Sequence, residues 1–398
     1  MQMISAEMAT QLEQSSWIRR MFESGIELKQ REGADKVQDF SLGNPDVPPP
    51  QGAAGVLRDL AETVGNPLSL GYIPNAGLPA LRRHLAEVLG AEQQIGLTGD
   101  QVMVTCGAAG GLCALLRSLL EPGDDVVCPA PFFPEYRFYA AHFGGQVRTV
   151  DTLRPDFQLD VPALAAAIGP RTRVVLVNSP NNPTGALYPE GDLRALADAI
   201  ETVNRDRARP VLLVSDEPYR QLVYDGLTVP PFLPLSRYAV VVGSFSKSLS
   251  LAGERIGYLA LHPEMPQGAQ LGAAIALNVR TLGYVNAPLI GQRLVDALLE
   301  TPIDVGIYAQ RREAMCAVLD AAGVTYSKPQ GAFYVFPCAP GGDDVAFVNH
   351  LLAQRILAVP GRGFGAPGYL RLSYAVELSV IRAAEAGFRR AVETAGRA

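Results

Sequence analysis

One lysine stands apart in this sequence. Arginine outnumbers lysine 30 to four, and Lys247 is the only lysine between positions 37 and 327. It follows a run of valines in "VVVGSFSKSLS" (240–250). Elsewhere the chain uses arginine as its cation, so a lysine here points to chemistry that needs an amine, because a guanidinium stays protonated and cannot act as a nucleophile. Other reactive or binding side chains end similar apolar runs. Asn178 and Asn182 follow "TRVVLV", Asp216 follows "VLLVS", and Ser244 and Ser246 flank the approach to Lys247, with Arg255 eight residues beyond it. An amine, a carboxylate, hydroxyls, an amide and a guanidinium are thus drawn from three separate stretches.

The stretches that carry them read as strands. "TRVVLVNSP" (172–180), "RPVLLVSDEPY" (209–219) and "RYAVVVGSFSKS" (237–248) are apolar without alternation, as in strands covered on both faces of a parallel or mixed sheet. "QVMVT" and "DVVCPA" are two more short apolar runs, and helix-like segments such as "LCALLRSLL" and "LRALADAIETVN" lie between them. Alternating strands and helices predict an α/β fold. In such sheets ligands bind beyond the carboxyl ends of the strands, which would gather these polar residues along one rim. Around this core, residues 5–32 and 77–90 read as helices, and "FSLGNPDVPPP" (40–50) as an extended connector. From about 290 the pattern changes to longer helical stretches (289–300, 306–322, 344–355) with two or three short strands, a smaller α+β unit. The expected division is 1–45 as an N-terminal helix and connector belonging to the small domain, 46–290 as the large domain, and 291–398 as the small C-terminal domain.

Composition excludes several classes. A net charge of −6 without a basic run gives no reason to expect nucleic acid or an anionic membrane, and "RDRARP" (205–210) reads as a solvated loop. Five cysteines without CxxC spacing argue against a disulfide framework or a metal site, so buried free thiols are expected. Neither a signal-length apolar run at the start nor an 18-residue apolar stretch is present, which predicts a reduced, cytoplasmic setting.

A cofactor that combines an aldehyde, a pyridine ring and a phosphate needs an amine for the imine and a carboxylate for the ring nitrogen. It also needs a donor for the ring hydroxyl, and hydroxyls, an arginine and backbone amides for the phosphate. Lys247, Asp216, Asn182 and the group Ser244, Ser246 and Arg255 supply that set. With these residues in view, the chain resembles the class I/II aminotransferases, the fold type I family of pyridoxal 5′-phosphate enzymes. The likeness runs from "LGNPD" to "RLSYA" through "GYIPNAGLPALR", "NSPNNPTG", "SDEPYR", "SFSKSLSLAGERIG" and "GAFYVF".

The resemblance implies a large domain with a mostly parallel sheet flanked by helices, and a smaller α+β domain. It implies transfer of an amino group between an L-amino acid and a 2-oxo acid by a ping-pong route, with aspartate-like or broad specificity. Lys247 is implied to be the Schiff-base lysine and proton carrier, and Asp216 the partner of the ring nitrogen, where a helix cap is the plainer reading of "SDEP". Asn182 and Tyr219 are implied at the ring hydroxyl. Ser244, Ser246, Arg255 and the amides of Ala108 and Ala109 are implied at the phosphate. Phe133 or its neighbour Phe132 falls where an aromatic ring stacks on the pyridine. Arg371 is implied to clamp the substrate α-carboxylate, and Gly43 to give close backbone approach. Tyr72 is implied to reach the phosphate of a second subunit, making the protein a homodimer. Arg280, just before "GYVNAP", stands near where dicarboxylate-specific members place a second arginine, and Arg362 lies in a Gly-rich loop as a specificity cation or a plain loop charge. The same residues would also support elimination, cyclisation or carbon–carbon bond formation. A non-catalytic sensor fits less well, since no DNA-binding module or basic patch accompanies the chain.

Overall fold

The computed structural model describes residues 3–13, 17–153 and 156–396. Its centre is a seven-stranded sheet built from Val102–Thr105 (β1), Asp125–Ala130 (β2), Gln146–Asp151 (β3), Thr172–Asn178 (β4), Leu212–Asp216 (β5), Ala239–Ser244 (β6) and Gly257–Leu261 (β7). The strand order is β1-β7-β6-β5-β4-β2-β3, and only β7 runs antiparallel to its neighbours.

Side chains along each inner strand alternate between two cores. Val174, Leu176, Val240 and Val242 face a cluster with Leu112, Leu115 and Ile275, from the helices Gly107–Leu119 and Gly268–Val279. Val175, Val177, Leu213 and Val241 face a cluster with Leu81, Leu85, Leu193 and Leu196, from Pro79–Glu92 and Glu190–Asn204. Because both faces are covered, the inner strands are continuously apolar. Each fully buried leucine or valine adds roughly 1.5–3 kcal/mol. The edge strand β3 differs: its "QVRTVD" is partly exposed, and no apolar run betrays it in the sequence.

The parallel strands β4, β5 and β6 end at Asn178, Asp216 and Ser244 on one rim. Because β7 is antiparallel, it begins on that same rim, with Gly257 paired to both Ser244 and Thr105.

Against this rim sits a three-stranded antiparallel sheet in the order Val359–Pro360, Leu370–Ser373, Tyr334–Val335. Helices Val305–Ala322, Asp344–Ala353 and Glu385–Ala395 accompany it in the C-terminal part. The N-terminal strand Gln38–Asp39 pairs in parallel with Ile356–Leu357, and Ser373 N donates to Phe40 O at 2.8 Å, so residues near 40 pack with the C-terminal part.

Some expectations change. The helix read over 5–32 is two helices, Ala6–Glu13 and Trp17–Glu32, with residues 14–16 outside the described residues. "RDRARP" is not a purely solvated loop: Arg207 donates to the carbonyls of Thr172 and Gly169, and Arg209 pairs with the buried Asp124 at 2.8 Å. Cys128 and Cys316 are buried free thiols, whereas Cys106, Cys113 and Cys338 are free and only partly buried. Helix Ala53–Thr63 follows the proline-rich connector without a sequence signal that had marked it. Among the described residues no helix is long and apolar enough to cross a membrane.

Candidate active site

At the strand rim a cavity of about 330 Å³ opens between the large sheet and the small one. Lys247, Asp216, Asn182, Tyr219, Ser244, Ser246, Arg255, Ala108, Ala109, Phe133, Gly43 and Arg371 all line it. Tyr72, Arg280 and Arg362 do not.

Lys247 lies in the short turn Phe245–Ser248 that leaves β6. Its Nζ donates to Gly43 O at 2.6 Å and lies 5.4 Å from the Phe333 ring centre. Burial, then the charges of Arg371 and Arg255, push its pKa down to about 8. No carboxylate stabilises the ammonium, so this amine gives up its proton far more readily than a surface lysine. Gly43 packs directly on Tyr334: an added Cβ would stand 1.7 Å from Tyr334 Oη, so the buried ring would have to move.

Beside the lysine is a cluster of donors. Ser244 Oγ accepts from Ser246 N at 3.2 Å and donates to Ser246 Oγ at 2.9 Å. Arg255 Nη1 reaches Ser246 Oγ at 3.3 Å. Arg255 itself holds a left-handed backbone, φ 55°, where the chain turns into β7. Helix Gly107–Leu119 starts here, and a Cβ on Gly107 would meet Arg255 Nη2 at 2.6 Å. Its first amides, including those of Ala108 and Ala109, have no carbonyl partner within the helix. Free amides, hydroxyls and a guanidinium around one spot form an anion cradle.

Asp216 ends β5. Tyr136 Oη donates to its Oδ2 at 2.5 Å, while Oδ1 is buried with no hydrogen-bond partner. Burial pushes its pKa up to about 7; the Tyr136 hydrogen bond opposes this and the charge of Glu217 adds to it. Glu217 turns the other way and pairs with Arg220 at 2.8 Å. Asn178 ties the site together: its Nδ2 donates to Asp216 O at 2.8 Å and its Oδ1 accepts from Asn182 N at 2.7 Å.

On the opposite wall Arg371 is buried. Its Nη1 donates to Asn182 Oδ1 at 3.1 Å and its Nη2 to Ser41 O at 2.7 Å, while Nε has no partner. The guanidinium lies 4.6 Å from the Tyr334 ring centre, and Tyr334 Oη is 3.0 Å from Tyr219 Oη. Of the two adjacent phenylalanines, Phe133 faces the cavity, edge-on to Tyr136, whereas Phe132 is buried under Arg137.

Three candidates lie elsewhere on this chain. Tyr72 is 91% exposed on the segment following helix Ala53–Thr63, and Arg280 is exposed after helix Gly268–Val279. Arg362 is held by Asp344 at 2.7 Å and Asp343 at 3.2 Å, which makes it a structural loop cation here. Sequence reasoning missed four contributors: Tyr136, Glu135, Tyr139 and Tyr334. The first three sit together in "PFFPEYRFY", where aromatic richness was the available signal but equally describes core packing.

Comparison with known proteins agrees with this geometry. The family model described as aminotransferase class I and II matches residues 35–384. The aspartate/prephenate aminotransferase of Thermus thermophilus is 34% identical over 376 residues, covering 92% of this chain and 93% of that protein. The aspartate aminotransferase of Geobacillus stearothermophilus is 32% identical, covering 90% and 91%. Among solved structures, an amino transferase of Eubacterium rectale superposes with a TM-score of 0.92 at 35% identity over 99% of both chains. Aspartate aminotransferase of Thermus thermophilus with maleate superposes with a TM-score of 0.86 at 30% identity, covering 98% and 100%.

Proposed function

The chain belongs to the class I and II aminotransferase family and is an aminotransferase, and we propose that it works with pyridoxal 5′-phosphate held in the cavity at the strand rim. The residues present fit that group. Asp216 Oδ1 is a buried carboxylate oxygen lacking a partner, which a protonated ring nitrogen satisfies. The amides of Ala108 and Ala109, the hydroxyls of Ser244 and Ser246, and Arg255 make a cradle for the phosphate. Above all, one cavity holds an amine depressed toward neutrality, a buried carboxylate with one oxygen left unpaired, and an anion cradle.

When bound, the group supplies a carbonyl carbon for an amine and a ring that stores an electron pair. Lys247 would hold it through its amine, and the same Nζ, free of its proton near neutral pH, would serve as the base for the substrate α-proton. Asp216 would keep a proton on the ring nitrogen, Asn182 and Tyr219 would serve the ring hydroxyl, and Phe133 would supply an apolar wall for the ring. Arg371 binds the substrate α-carboxylate with Nε as its unused donor, which fixes the α-hydrogen relative to Lys247. Gly43 lines the cavity without a side chain, which would let the substrate approach its backbone closely. The substrate pair is an L-amino acid and a 2-oxo acid, and the relatives' names place aspartate within the starting panel.

The test is direct. Mixing the purified chain with pyridoxal 5′-phosphate is expected to give a new absorption band and, after borohydride reduction, a mass increment on the peptide containing Lys247. The rate of uptake should rise with pH through about 8 and then level, since the neutral amine is the reacting form. An amino acid should discharge the band and yield its 2-oxo acid. A mass increment on any other lysine, or no oxo acid from any amino acid, overturns the reading.

The exposed apolar face supports a homodimer. Leu68 is 89% exposed and Tyr72 91%, and Leu70 lines a groove with Leu289 and Ile290. Asn75 Nδ2, donating to Val285 O at 2.7 Å, ties this segment to the one following Arg280. Contiguous exposed apolar surface of this kind marks an association site. In this reading the exposed Tyr72 and Arg280 reach the cavity of a second copy. Leu68→Asp combined with Leu70→Asp is expected to weaken self-association on the order of 100-fold and to lower cofactor affinity with it. Sedimentation that shows the variant as dimeric as the parent at the same concentration removes this assignment.

A further inference from the structure

Among the described residues, five charged side chains line the cavity: Glu135, Asp216, Lys247, Arg255 and Arg371. The roles above occupy four of them and leave Glu135. It opens the short helix Glu135–Ala141, one residue before the tyrosine that holds Asp216. Its Oε2 is buried and has no hydrogen-bond partner. Burial raises its pKa, against the charge of Arg371. In turn its charge acts on Tyr139 and Tyr334. The carboxylate thus lines the cavity with Arg371, Tyr334 and Tyr139, within reach of a substrate held by Arg371.

A buried carboxylate oxygen needs a donor, and leaving it without one is costly. The protein supplies none to Oε2. The substrate α-carboxylate has no proton to give, and its amine is committed to the exchange with Lys247. What remains is the substrate side chain. A second carboxylate there would bring two like charges together out of water. An N–H donor would satisfy Oε2 with a charge-assisted hydrogen bond.

We propose that Glu135 is a specificity-determining residue: it accepts a hydrogen bond from an amide, ammonium or guanidinium on the substrate side chain and disfavours a second carboxylate. This rests on the reading in which Arg371 holds the α-carboxylate. On this reading a substrate with a second carboxylate meets a like charge in the cavity, which sets the expected preference against aspartate.

The experiment compares kcat/KM for glutamine, asparagine, lysine, ornithine and arginine with that for aspartate and glutamate, each relative to alanine. It uses wild-type holoenzyme, Glu135→Gln and Glu135→Ser. At least one N–H donor side chain should exceed both dicarboxylates roughly tenfold or more in the wild type. Glu135→Gln should compress that ratio by about 10- to 100-fold, with the donor's value relative to alanine falling and the dicarboxylates' rising. A general structural defect lowers all substrates together and does not move the ratios in opposite directions. A wild type that prefers aspartate, or ratios that neither variant moves, overturns the role of Glu135 while transamination stands. Turnover of no amino acid, alanine included, overturns the cofactor reading itself and this proposal with it.

Discussion

Lys247→Ala is expected to lower turnover by about 10⁵- to 10⁶-fold, the scale seen when a covalent nucleophile is removed, while the chain stays folded. The structure separates the two effects. Lys247 makes one hydrogen bond, to the carbonyl of Gly43, and no carboxylate pairs with it. Burial and two nearby guanidiniums already oppose its charge. Truncation therefore removes an amine that the fold holds against its own electrostatics. The melting temperature should move by no more than about 2–4 °C. The outcome is read from kcat with the best amino donor and from calorimetry of the same preparation. Turnover within tenfold of the parent would end the assignment, whereas a collapsed melting transition would mean that the loss of activity says nothing about chemistry.

Asp216 carries the second large effect, and it has two faces. In the enzyme with cofactor, Asp216→Asn is expected to lower kcat on the order of 10³-fold, as when a preorganised charge-stabilising group is lost, because an amide does not hold a proton on the ring nitrogen. In the cofactor-free chain the same change should stabilise. The carboxyl is fully buried, one oxygen has no partner, and its pKa rises to about 7 in the fold. A group whose folded pKa lies above its unfolded value supports the fold below the unfolded value and loses that support as pH rises through the folded one. The interval from about 4 in the unfolded chain to about 7 corresponds to about 4 kcal/mol. Melting temperatures of parent and variant should therefore coincide near pH 4 and diverge up to pH 7, with the variant higher. Added pyridoxal 5′-phosphate should reverse the order in favour of the parent. A gap that does not change between pH 4 and pH 8 contradicts the unpaired carboxylate oxygen.

The rim of the cavity was legible in the sequence for a physical reason. A strand covered on both faces has no room for polar side chains except at its ends, so Asn178, Asp216 and Ser244 announce themselves by closing apolar runs. The wall formed by Glu135, Tyr136 and Tyr139 was not legible. Which of these residues meets the cavity depends on the rotation of a helix of seven residues, and the adjacent Phe132 and Phe133 differ only in how the non-helical segment before it is turned. Tyr136 also declares nothing about Asp216, 80 residues away, until the two are folded together. The edge strand β3 escaped because its exposed side carries polar residues. "RDRARP" misled because the carbonyls and carboxylate its arginines serve lie on other segments, with no local spacing to reveal them.

The antiparallel placement of β7 has a consequence for how the cavity is assembled. After β6 the chain turns back into β7 without leaving the rim, so the amine, two hydroxyls and the guanidinium of Arg255 come from one short excursion. The opposite wall is closed by contacts far apart along the chain: Arg371 meets Asn182 across 189 residues, and Lys247 meets Gly43 across 204. Loop-closure entropy grows with the logarithm of separation, so a contact across 200 residues costs about 3 kcal/mol more than one across ten. The side-chain half of the anion cradle thus comes from local turns, joined to the amides of Ala108 and Ala109 through the pairing of Thr105 with Gly257 inside the sheet, whereas the substrate wall depends on both ends of the chain staying docked. Fraying at those ends loosens the grip on the amino acid first and leaves the grip on the phosphate intact.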